Sequence, residues 1–414
     1  MRNRAEALDP EYIADLSLPY RDETFVAPFQ PPALAPSAAG LRGYGSVEEI
    51  IEDLAPSEPV FCIDPFELRA SAARFMNFPG RPLYAVKCNP HPFVLETLFD
   101  AGIRDFDVAS LGEIELVESL FGKAAGQFFN NPAKTRPAIR KASELHGIRF
   151  YTADCIEEVE KILQEADLSD ELIIAVRLAT PGKDARYVLS TKFGASADEA
   201  ARILQHVHAR GVKAGISFHV GSQCLSPGAF GTAMTLAGKV ARKADVPISV
   251  LNVGGGFPAP YPGDSPASLQ HYFSHVIHGR QKLALAPGYM LLCEPGRSLV
   301  ATSGTVLLQV VVRRGNSLYL NDGIFGTLQE LGHPKESRPV RLLRNGDRPE
   351  KRPAEFKIYG PTCDSNDVLG ASFTLPDDVQ EGDWVEVGMM GAYSLAMRTE
   401  FNGFHASNVV RLTG

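Results

Sequence analysis

The sequence has few of the features that mark membrane, secreted or nucleic-acid-binding proteins. No apolar run approaches the ~20 residues that span a bilayer, and no block of five or six basic residues occurs in a chain with a net charge of −8. The first ten residues are charged and lack the apolar core of a secretion signal. We therefore expect neither a membrane nor a nucleic acid as a partner.

Cysteine is scarce and scattered. The chain has no CxxC pair, and its six cysteines are far apart, at positions 62, 88, 155, 224, 293 and 363. A disulfide framework or a metal site is therefore not expected, and a reducing cytoplasm is the expected location. Hydrophobic residues make up 44% of the chain and charged residues 22%, which is typical of globular proteins. The length of 414 residues predicts two domains.

From Pro82 onward, short apolar runs alternate with stretches of helical spacing. The runs span 83–86, 106–108, 127–129, 148–151, 172–178, 213–220, 248–253 and 289–293. Helical spacing is found, for example, over 93–101, 111–120, 133–146, 156–165 and 197–210. Eight strands with helices between them, over roughly 210 residues, predict a (β/α)8 barrel.

After Ser303 the pattern changes to strands without helices between them. They span 306–313, 317–321, 355–359, 384–387 and 408–412. This predicts an all-β second domain, a barrel or a sandwich, joined by the proline-rich N-terminal arm. The expected α/β architecture is an arm and strand over 1–63, a TIM-like (β/α)8 barrel over 64–300, and a C-terminal β domain over 301–414.

Polar residues recur at the predicted carboxyl ends of the barrel strands, where such barrels carry their chemistry. Their recurrence at these ends is a stronger signal than any one of them alone. They are Lys87, Asp107, Asn130, Arg177, His219, Gly254 to Gly256 and Glu294.

Each of these residues also has a purely structural interpretation. Lys87 either reaches solvent at a strand end or is an amine with a lowered pKa, ready to form a Schiff base. The glycines form either a tight turn or a phosphate cradle of backbone N–H groups. His219 is either a core residue or a flat ring that stacks on a bound ring. Glu294 pairs either with the nearby Arg297 or with a ring nitrogen, which it would keep protonated.

Two turns of the β domain add candidates. Cys363 and Asp364 share a turn, and the thiol is either a buried structural group or a proton donor. Tyr393 follows two small residues, and its hydroxyl is a candidate phosphate contact.

Seven motifs, in order, resemble the fold-type III pyridoxal-phosphate decarboxylases, which include ornithine, diaminopimelate and arginine decarboxylases. The resemblance runs from about residue 59 to 404 and looks most like the bacterial ornithine decarboxylases. The motifs are Tyr-Ala-Val-Lys-Cys-Asn (84–89), Phe-Asp-Val-Ala-Ser (106–110), Phe-His-Val-Gly-Ser (218–222), Gly-Gly-Gly-Phe (254–257), Glu-Pro-Gly-Arg (294–297), Gly-Pro-Thr-Cys-Asp-Ser (360–365) and Gly-Ala-Tyr (391–393).

The resemblance implies a role for each matching position. Lys87 would bind pyridoxal phosphate as a Schiff base, with Asp107 and Arg177 near it. His219 would stack on the cofactor ring, and Glu294 would pair with the ring nitrogen. The phosphate would be surrounded by Ser222, Gly254, Gly255, Gly256, Arg297 and Tyr393.

The resemblance also implies a homodimer with shared sites, to which the partner subunit contributes Cys363 and Asp364. Cys363 would return a proton to the substrate carbon after CO2 leaves, and Asp364 would bind the distal amino group of a diamino acid. The implied reaction is decarboxylation of a basic amino acid, with ornithine to putrescine as the first candidate. No metal is required.

One stretch departs from the family pattern. Ornithine decarboxylases carry a second acidic residue after the Asn-Asp-Gly strand, to help bind the terminal ammonium of the substrate. By our register Gly332 or His333 stands at that position, and Glu330 could substitute if the loop shifts. Lysine, diaminobutyrate, diaminopimelate or an N-conjugated diamino acid are alternative substrates.

Three other groups of relatives fit these residues less well. Diaminopimelate decarboxylases typically have Glu after the active-site cysteine, where this chain has Asp364. Alanine racemases place an arginine at the pyridine nitrogen, where this chain has Glu294. A non-catalytic, protein-binding member of the antizyme-inhibitor type would usually lose cofactor contacts, whereas Lys87, Glu294 and Cys363 are all present.

Overall fold

The computed structural model describes residues 40–413 except 183, 282, 284, 345–351, 405 and 407. Most of the predicted proline-rich arm lies outside the described residues. In chain order the strands are β1 (Gly43–Tyr44), β2 (Val60–Ile63), β3 (Arg81–Ala85), β4 (Asp105–Val108), β5 (Gly126–Phe129), β6 (Phe150–Ala153), β7 (Ile173–Leu178), β8 (Ala185–Tyr187), β9 (Lys213–Phe218), β10 (Ser222–Cys224), β11 (Ile248–Asn252), β12 (Met290–Cys293), β13 (Gly304–Arg314), β14 (Ser317–Leu320), β15 (Val340–Leu343), β16 (Pro353–Tyr359), β17 (Phe373–Pro376), β18 (Trp384–Val387) and β19 (Asn408–Leu412).

The helices that are described lie mainly in the first 300 residues. They are α1 (Val47–Leu54), α2 (Pro65–Phe75), α3 (Pro92–Asp100), α4 (Leu111–Phe121), α5 (Arg136–Glu144), α6 (Ile156–Glu165), α7 (Ala197–Ala209), α8 (Gly228–Ala244), α9 (Leu269–Arg280) and the single turn α10 (Arg297–Val300). Several begin at a side-chain cap; Asp64, for example, accepts N–H bonds from Phe66 and Glu67 at the start of α2. No described helix has both the length and the apolar character needed to cross a membrane.

Eight parallel strands close into a barrel in the order β3, β4, β5, β6, β7, β9, β11 and β12, with β12 pairing back onto β3. Strands of this kind are buried on both faces, which explains their nearly continuous apolar sequences. The predicted (β/α)8 barrel is confirmed. Strand ends shift by up to two residues from the sequence-based limits; residues 219 and 220, for example, follow β9 rather than extend it.

The β domain is built around β13, the longest strand, which pairs antiparallel with β2, β14 and β18. Strand β2 also pairs parallel with β19, and β1 pairs parallel with β19. Strands β1 and β2 are therefore part of the sheet of the β domain, although they precede the barrel in sequence. Trp384 on β18 donates its indole N–H to the Pro56 carbonyl at 3.1 Å and is 8% exposed.

A short two-stranded antiparallel sheet at the mouth of the barrel was not predicted. Strands β8 and β10 pair antiparallel, with Ser222 opposite Tyr187 and Cys224 opposite Ala185. They follow barrel strands β7 and β9, so they extend two neighbouring strand ends beyond the barrel. This small sheet positions Tyr187 and Ser222 beside the cavity described next.

Candidate active site

A cavity opens at the carboxyl ends of the barrel strands, next to the turn at 391–393 of the β domain. It contains about 320 Å³ of space between atoms. Seven residues predicted from the sequence line this one cavity. The full lining is Ala85, Lys87, His219, Ser222, Gly256, Phe257, Glu294, Gly296, Arg297 and Tyr393.

Lys87 faces the cavity from the single 3-10 turn that follows β3. Its Nζ donates to Oδ2 of Asp107, on the neighbouring strand β4, at 2.9 Å. The Asp107 side chain is 1% exposed, whereas that of Lys87 is 44% exposed. The second oxygen of Asp107, Oδ1, is buried and has no hydrogen-bond partner among the described residues.

The charge state of Lys87 corrects one of the two sequence-based interpretations. Burial acts to lower the pKa of Lys87, but the negative charge of Asp107, with a smaller contribution from Glu294, outweighs it, so the pKa is raised. Because the side chain stays partly exposed, its desolvation is incomplete. Lys87 is therefore an ammonium ion held by Asp107, and not a free amine with a lowered pKa.

Glu294 is a buried carboxylate, 8% exposed, directly after β12. Its Oε1 accepts a hydrogen bond from Nδ2 of Asn252 at 2.6 Å, while Oδ1 of Asn252 accepts the N–H of Gly254 at 2.9 Å. Burial, and then the negative charge of Asp107, raise the pKa of Glu294 to about 7. The predicted pairing of Glu294 with Arg297 is not present; Arg297 instead contacts other groups.

His219 is held as a neutral ring. Its Nδ1 accepts the N–H of Gly221 at 3.0 Å, which assigns the ring proton to Nε2. Burial, and then the positive charges of Arg177 and Lys87, lower the pKa of His219 well below its usual range. An uncharged, fixed imidazole is suited to packing against a flat ring rather than to acid–base exchange near pH 7.

The glycine run is required by close packing of the backbone. A Cβ on Gly254, which has φ +64°, would lie 2.0 Å from the Phe218 carbonyl oxygen. A Cβ on Gly256, which has φ +108°, would lie 2.5 Å from the Gly221 carbonyl oxygen. The structural interpretation of this run as a tight turn is therefore correct for these two positions.

The same run also leaves donors free for an anion. Within the described residues, the N–H groups of Gly255 and Gly256 have no hydrogen-bond partner. Gly256 lines the cavity, and a Cβ on Gly255 would lie 2.9 Å from Nε2 of His219 and 2.6 Å from the Glu294 carbonyl. A turn with adjacent unpaired N–H groups is a recurrent anion site, so the two interpretations are compatible.

Arg297 and Tyr393 meet at one end of the cavity. Nε of Arg297 donates to Oγ of Ser222 at 3.2 Å, and its guanidinium lies 4.9 Å from the centre of the Tyr393 ring. Tyr393 adopts φ +52°, and its N–H donates to the Cys88 carbonyl at 2.9 Å. Asn89 donates its side-chain N–H to the Gly391 carbonyl at 2.9 Å. The residues on either side of this turn are thus fixed to the barrel beside Lys87.

Glu330 does not lie free near the cavity, which corrects its predicted role as a ligand for a distal ammonium. Its Oε1 and Oε2 accept from Arg297 at 2.6 and 2.7 Å, and Oε2 also accepts from Arg338 at 3.1 Å. The Glu330 side chain is 9% exposed and does not line the cavity. The sequence could not reveal these partners, because they lie 33 and 8 residues away along the chain.

Two other predicted residues lie near the cavity without lining it. Arg177 is the penultimate residue of β7, and its guanidinium lies 5.8 Å from the centre of the Phe193 ring. Its positive charge acts to lower the pKa of both His219 and Glu294. Asn130 follows β5, is buried, and accepts the Thr152 hydroxyl at 3.0 Å.

Cys363, Asp364 and His333 are not brought to the cavity within one chain. Cys363 is exposed, and its Sγ lies 3.4 Å from Oδ1 of Asn402. Asp364 accepts the N–H of Asn366 at 2.8 Å. His333 is exposed, and its ring packs edge-on against Tyr187 at 5.8 Å.

Some residues that support the site were missed from the sequence. Asn252 holds both Glu294 and the glycine run, and Tyr261 accepts from Arg297 at 3.0 Å. Asp367 holds the turn of Cys363 and Asp364, because it accepts two bonds from Thr362 and one from the N–H of Ile324. The polar end of strand β11 was a possible signal for Asn252, whereas the other two have no local signature.

The donor set of the cavity fits the chemical groups of pyridoxal phosphate. The Lys87 amine matches the aldehyde, the flat neutral imidazole of His219 matches the aromatic ring, and the buried carboxylate of Glu294 matches the ring nitrogen. The unpaired N–H groups of Gly255 and Gly256, the Ser222 hydroxyl and the Arg297 guanidinium match a phosphate.

Comparison with known proteins agrees with this match. The sequence model described as "Pyridoxal-dependent decarboxylase, pyridoxal binding domain" matches residues 67–301. The chain is 32% identical over 335 residues to a lysine/ornithine decarboxylase of Selenomonas ruminantium, which covers 79% of this chain and 82% of that protein. It is also 29% identical over 394 residues to an antizyme inhibitor 2 of Xenopus laevis, covering 88% of this chain and 83% of that protein.

The fold is also similar to a solved structure, that of the arginine decarboxylase of Paramecium bursaria Chlorella virus bound to agmatine. The TM-score is 0.79 and the sequence identity is 26%, and the match covers 88% of this chain and 99% of that one. Whether bacterial ornithine decarboxylases are the nearest group stays a prediction. The family match covers more than half of the chain and includes every residue that lines the cavity except Tyr393. The chain therefore belongs to the pyridoxal-dependent decarboxylases and is a carboxy-lyase that uses pyridoxal phosphate.

Proposed function

We propose that the protein decarboxylates a basic, diamino L-amino acid to the corresponding amine, with ornithine to putrescine, a step of polyamine biosynthesis, as the first candidate. The observation that carries this proposal is the cavity in which Lys87, His219, Glu294 and Arg297 face one another. The named relatives that act on lysine, ornithine and arginine support a basic substrate.

When bound, pyridoxal phosphate supplies an electron sink for the pair left at the substrate carbon by the departing CO2. Lys87 would hold the cofactor covalently, and it must first lose a proton, for which Oδ2 of Asp107 at 2.9 Å is the acceptor within reach. Glu294 would hold a proton at the ring nitrogen, and His219 would pack on the ring. Ser222, the glycine run, Arg297 and Tyr393 would surround the phosphate, with Arg177 nearby.

The rest of the site would come from a second copy of the chain. Cys363 is an exposed thiol outside the cavity of its own chain, and the Asp367 carboxylate fixes the backbone of the same turn. In a homodimer the partner subunit would bring this turn to the cavity. The Cys363 thiol would then return a proton to the substrate carbon, and Asp364 would bind the distal ammonium.

Asp364 would make one contact to the distal ammonium of the substrate, and the residue that makes the second contact determines the substrate preference. Because Glu330 is bound by two arginines, His333 is the remaining candidate at the position of the expected acid. One missing charge-assisted hydrogen bond costs roughly 1.5–3 kcal/mol. For ornithine this predicts a KM roughly ten- to a hundredfold above that of a site with two carboxylates.

The test is CO2 release by the purified protein with added pyridoxal phosphate. The substrate panel holds ornithine, lysine, arginine, 2,4-diaminobutyrate, diaminopimelate and N-acylated diamino acids, with Lys87→Ala as the inactive control. Release that depends on Lys87 from any basic member supports the proposal, and the preferred member assigns the substrate. Release from none of them, with the cofactor bound, contradicts it.

A second candidate function is a non-catalytic regulator that binds a protein partner, as the similarity to an antizyme inhibitor suggests. The intact cavity weighs against it, because a regulator has no need of a buried carboxylate next to a lysine. Absorbance near 420 nm that disappears in Lys87→Ala would show that the chain still binds the cofactor covalently. A reducing cytoplasm is retained as the proposed location, since the six cysteines are all free thiols.

A further inference from the structure

Six buried or nearly buried charged residues form a continuous chain of ion pairs beside the cavity, here called the six-charge network. It links the barrel mouth to the β domain, and three arginines balance three carboxylates. Its members are Arg186, Asp264, Arg297, Glu330, Glu336 and Arg338.

Glu330 is the member that joins the network to the cavity. Its two oxygens bind Nη1 and Nη2 of Arg297 at 2.7 and 2.6 Å, so it occupies the forked edge of that guanidinium. Tyr261 takes a further bond from Nη1 at 3.0 Å. The Nε edge bonds the Ser222 hydroxyl, and Ser222 and Arg297 both line the cavity.

A phosphate at the Nε edge would therefore meet an arginine whose charge is already balanced. The side chains of Arg297 and Glu330 are 4% and 9% exposed, so solvent screens their charges only weakly. A phosphate monoester carries about two negative charges near pH 7. The Glu330 carboxylate lies on the opposite edge of the same guanidinium, and it would repel that phosphate.

We propose that Glu330 is a positioning residue for the cofactor phosphate: it fixes Arg297 with the Nε edge toward Ser222, and its negative charge weakens the attraction of Arg297 for the phosphate. The inference rests on the proposed phosphate position, and it is independent of which amino acid is decarboxylated. It makes an unusual prediction, since removing a buried ion-pair partner would strengthen cofactor binding.

The experiment compares two aldehydes, pyridoxal phosphate and pyridoxal, by absorbance titration of the cofactor-free full-length protein. Both react with Lys87, so the ratio of their dissociation constants isolates the phosphate. In Glu330→Gln we expect that preference for pyridoxal phosphate to rise about tenfold, because one nearby negative charge is removed. Melting temperatures, recorded alongside, report the structural cost of each variant.

Matched variants separate charge from structure. Glu330→Asp keeps the charge while losing reach, so the preference should stay within about twofold of the wild type. Glu336→Gln removes an equally buried carboxylate of the same network that does not touch Arg297, and it should also leave the preference nearly unchanged. Arg338→Gln removes a cation that shares Glu330, and it should lower the preference; this variant tests the proposal if Glu330→Gln does not fold.

Arg297→Gln distinguishes failure of this inference from failure of the phosphate assignment. If Arg297→Gln leaves the preference unchanged, the phosphate does not lie at Arg297, and both are wrong. If Arg297→Gln abolishes the preference while Glu330→Gln lowers it or leaves it unchanged, only the role of Glu330 is overturned. An equal rise in Glu330→Gln and Glu336→Gln would also overturn it, since the effect would then not pass through Arg297.

Discussion

Asp107 sets the charge of Lys87. The carboxylate is buried on β4, whereas the ammonium extends into the cavity, so the pair combines a fixed anion with a partly exposed cation. The orphan oxygen of Asp107 leaves this anion with less hydrogen bonding than a buried carboxylate usually has. An amine that has to react with an aldehyde is therefore stored in its protonated form.

The first prediction concerns this stored proton. Burial lowers the pKa of Lys87, and the charge of Asp107 raises it more than any other neighbouring group does, so Asp107→Asn should lower that pKa. In the cofactor-free protein at about pH 8, modification of Lys87 by trinitrobenzenesulfonate should become roughly tenfold faster. Peptide mass spectrometry would follow Lys87 itself. Asp105→Asn, on the same strand but paired with Arg81, is the control and should not change that rate.

The second prediction concerns Glu294 and pH. Its folded-state pKa of about 7 lies above the ordinary value of 4.5, so its contribution to stability is fully present below pH 4.5 and is lost as the pH rises through 7. We compare the free energy of unfolding of the cofactor-free wild type with that of Glu294→Gln. The wild-type value minus the variant value should fall by about 1–3 kcal/mol as the pH rises from 4.5 through 7. Urea unfolding at several pH values measures it. A difference that is constant with pH would contradict the raised pKa.

At this scale the sequence located the reactive residues better than it assigned their partners. Lys87, His219 and Glu294 were predicted because each lies just after the apolar run of a barrel strand, and the fold gathers these strand ends at one mouth. Glu330 was expected to be free, yet its carboxylate binds Arg297 and Arg338. Which charges pair across a buried interface depends on tertiary contacts that no local pattern encodes.

At the scale of structural elements, the glycine run of residues 254–256 leaves little room for any added side chain. Backbones from the ends of β9, β11 and β12 approach one another there, and a Cβ on Gly255 would lie within 3 Å of two groups from the other two strand ends. Neither neighbour is a flexible side-chain end: one is the Glu294 carbonyl, and the other is a hydrogen-bonded ring. This packing holds the N–H groups of the run in one orientation.

The third prediction follows from that packing. Gly255→Ala should weaken pyridoxal phosphate binding by at least about tenfold and lower stability by roughly 1–3 kcal/mol, because the inserted methyl group displaces His219 or the loop. Titration of the cofactor-free protein and thermal unfolding measure the two effects. Gly112→Ala, whose Cβ would have only Ser110 Oγ at 3.9 Å, is the control and should be neutral or slightly stabilising.

Long or repeated elements were predictable, and short ones were not. The alternation of strands and helices specified the barrel because most of the strands are largely apolar and the stretches between them have helical spacing. The antiparallel pair of β8 and β10 was missed, since each strand has only three residues and the two are separated in the chain by α7 and β9. In the N-terminal segment a single strand without limits was predicted, whereas the structure has two, β1 and β2, whose partners β13 and β19 lie far away in sequence.

At the scale of the whole molecule, the proposed site has two parts that do not meet within one chain. The cavity holds Lys87, whereas Cys363 and Asp364 lie on an exposed turn of the β domain. A two-fold dimer would satisfy both parts at once, because each chain would give its turn and receive that of its partner.

The fourth prediction tests this sharing. Lys87→Ala and Cys363→Ala should each be nearly inactive alone. After the two proteins are mixed under conditions that exchange subunits, about half of the dimers are hybrids with one intact site, so activity should recover to about a quarter of the wild-type value. CO2 release before and after mixing measures it. Lys87→Ala mixed with Lys87→Ala/Cys363→Ala is the control, and no recovery in the first mixture would place both residues in the same subunit's site.

The single tryptophan of the chain also has a practical consequence. Trp384 lies in the β domain, and its indole N–H donates to the Pro56 carbonyl. Its fluorescence therefore reports on the contact between the N-terminal segment and that domain. The barrel contributes no indole signal, whereas the bound cofactor is a chromophore that reports on the barrel. Tryptophan fluorescence therefore reports on the β domain, and visible absorbance of the bound cofactor reports on the barrel. Recording both in one sample, without any added label, shows which of the two domains unfolds first.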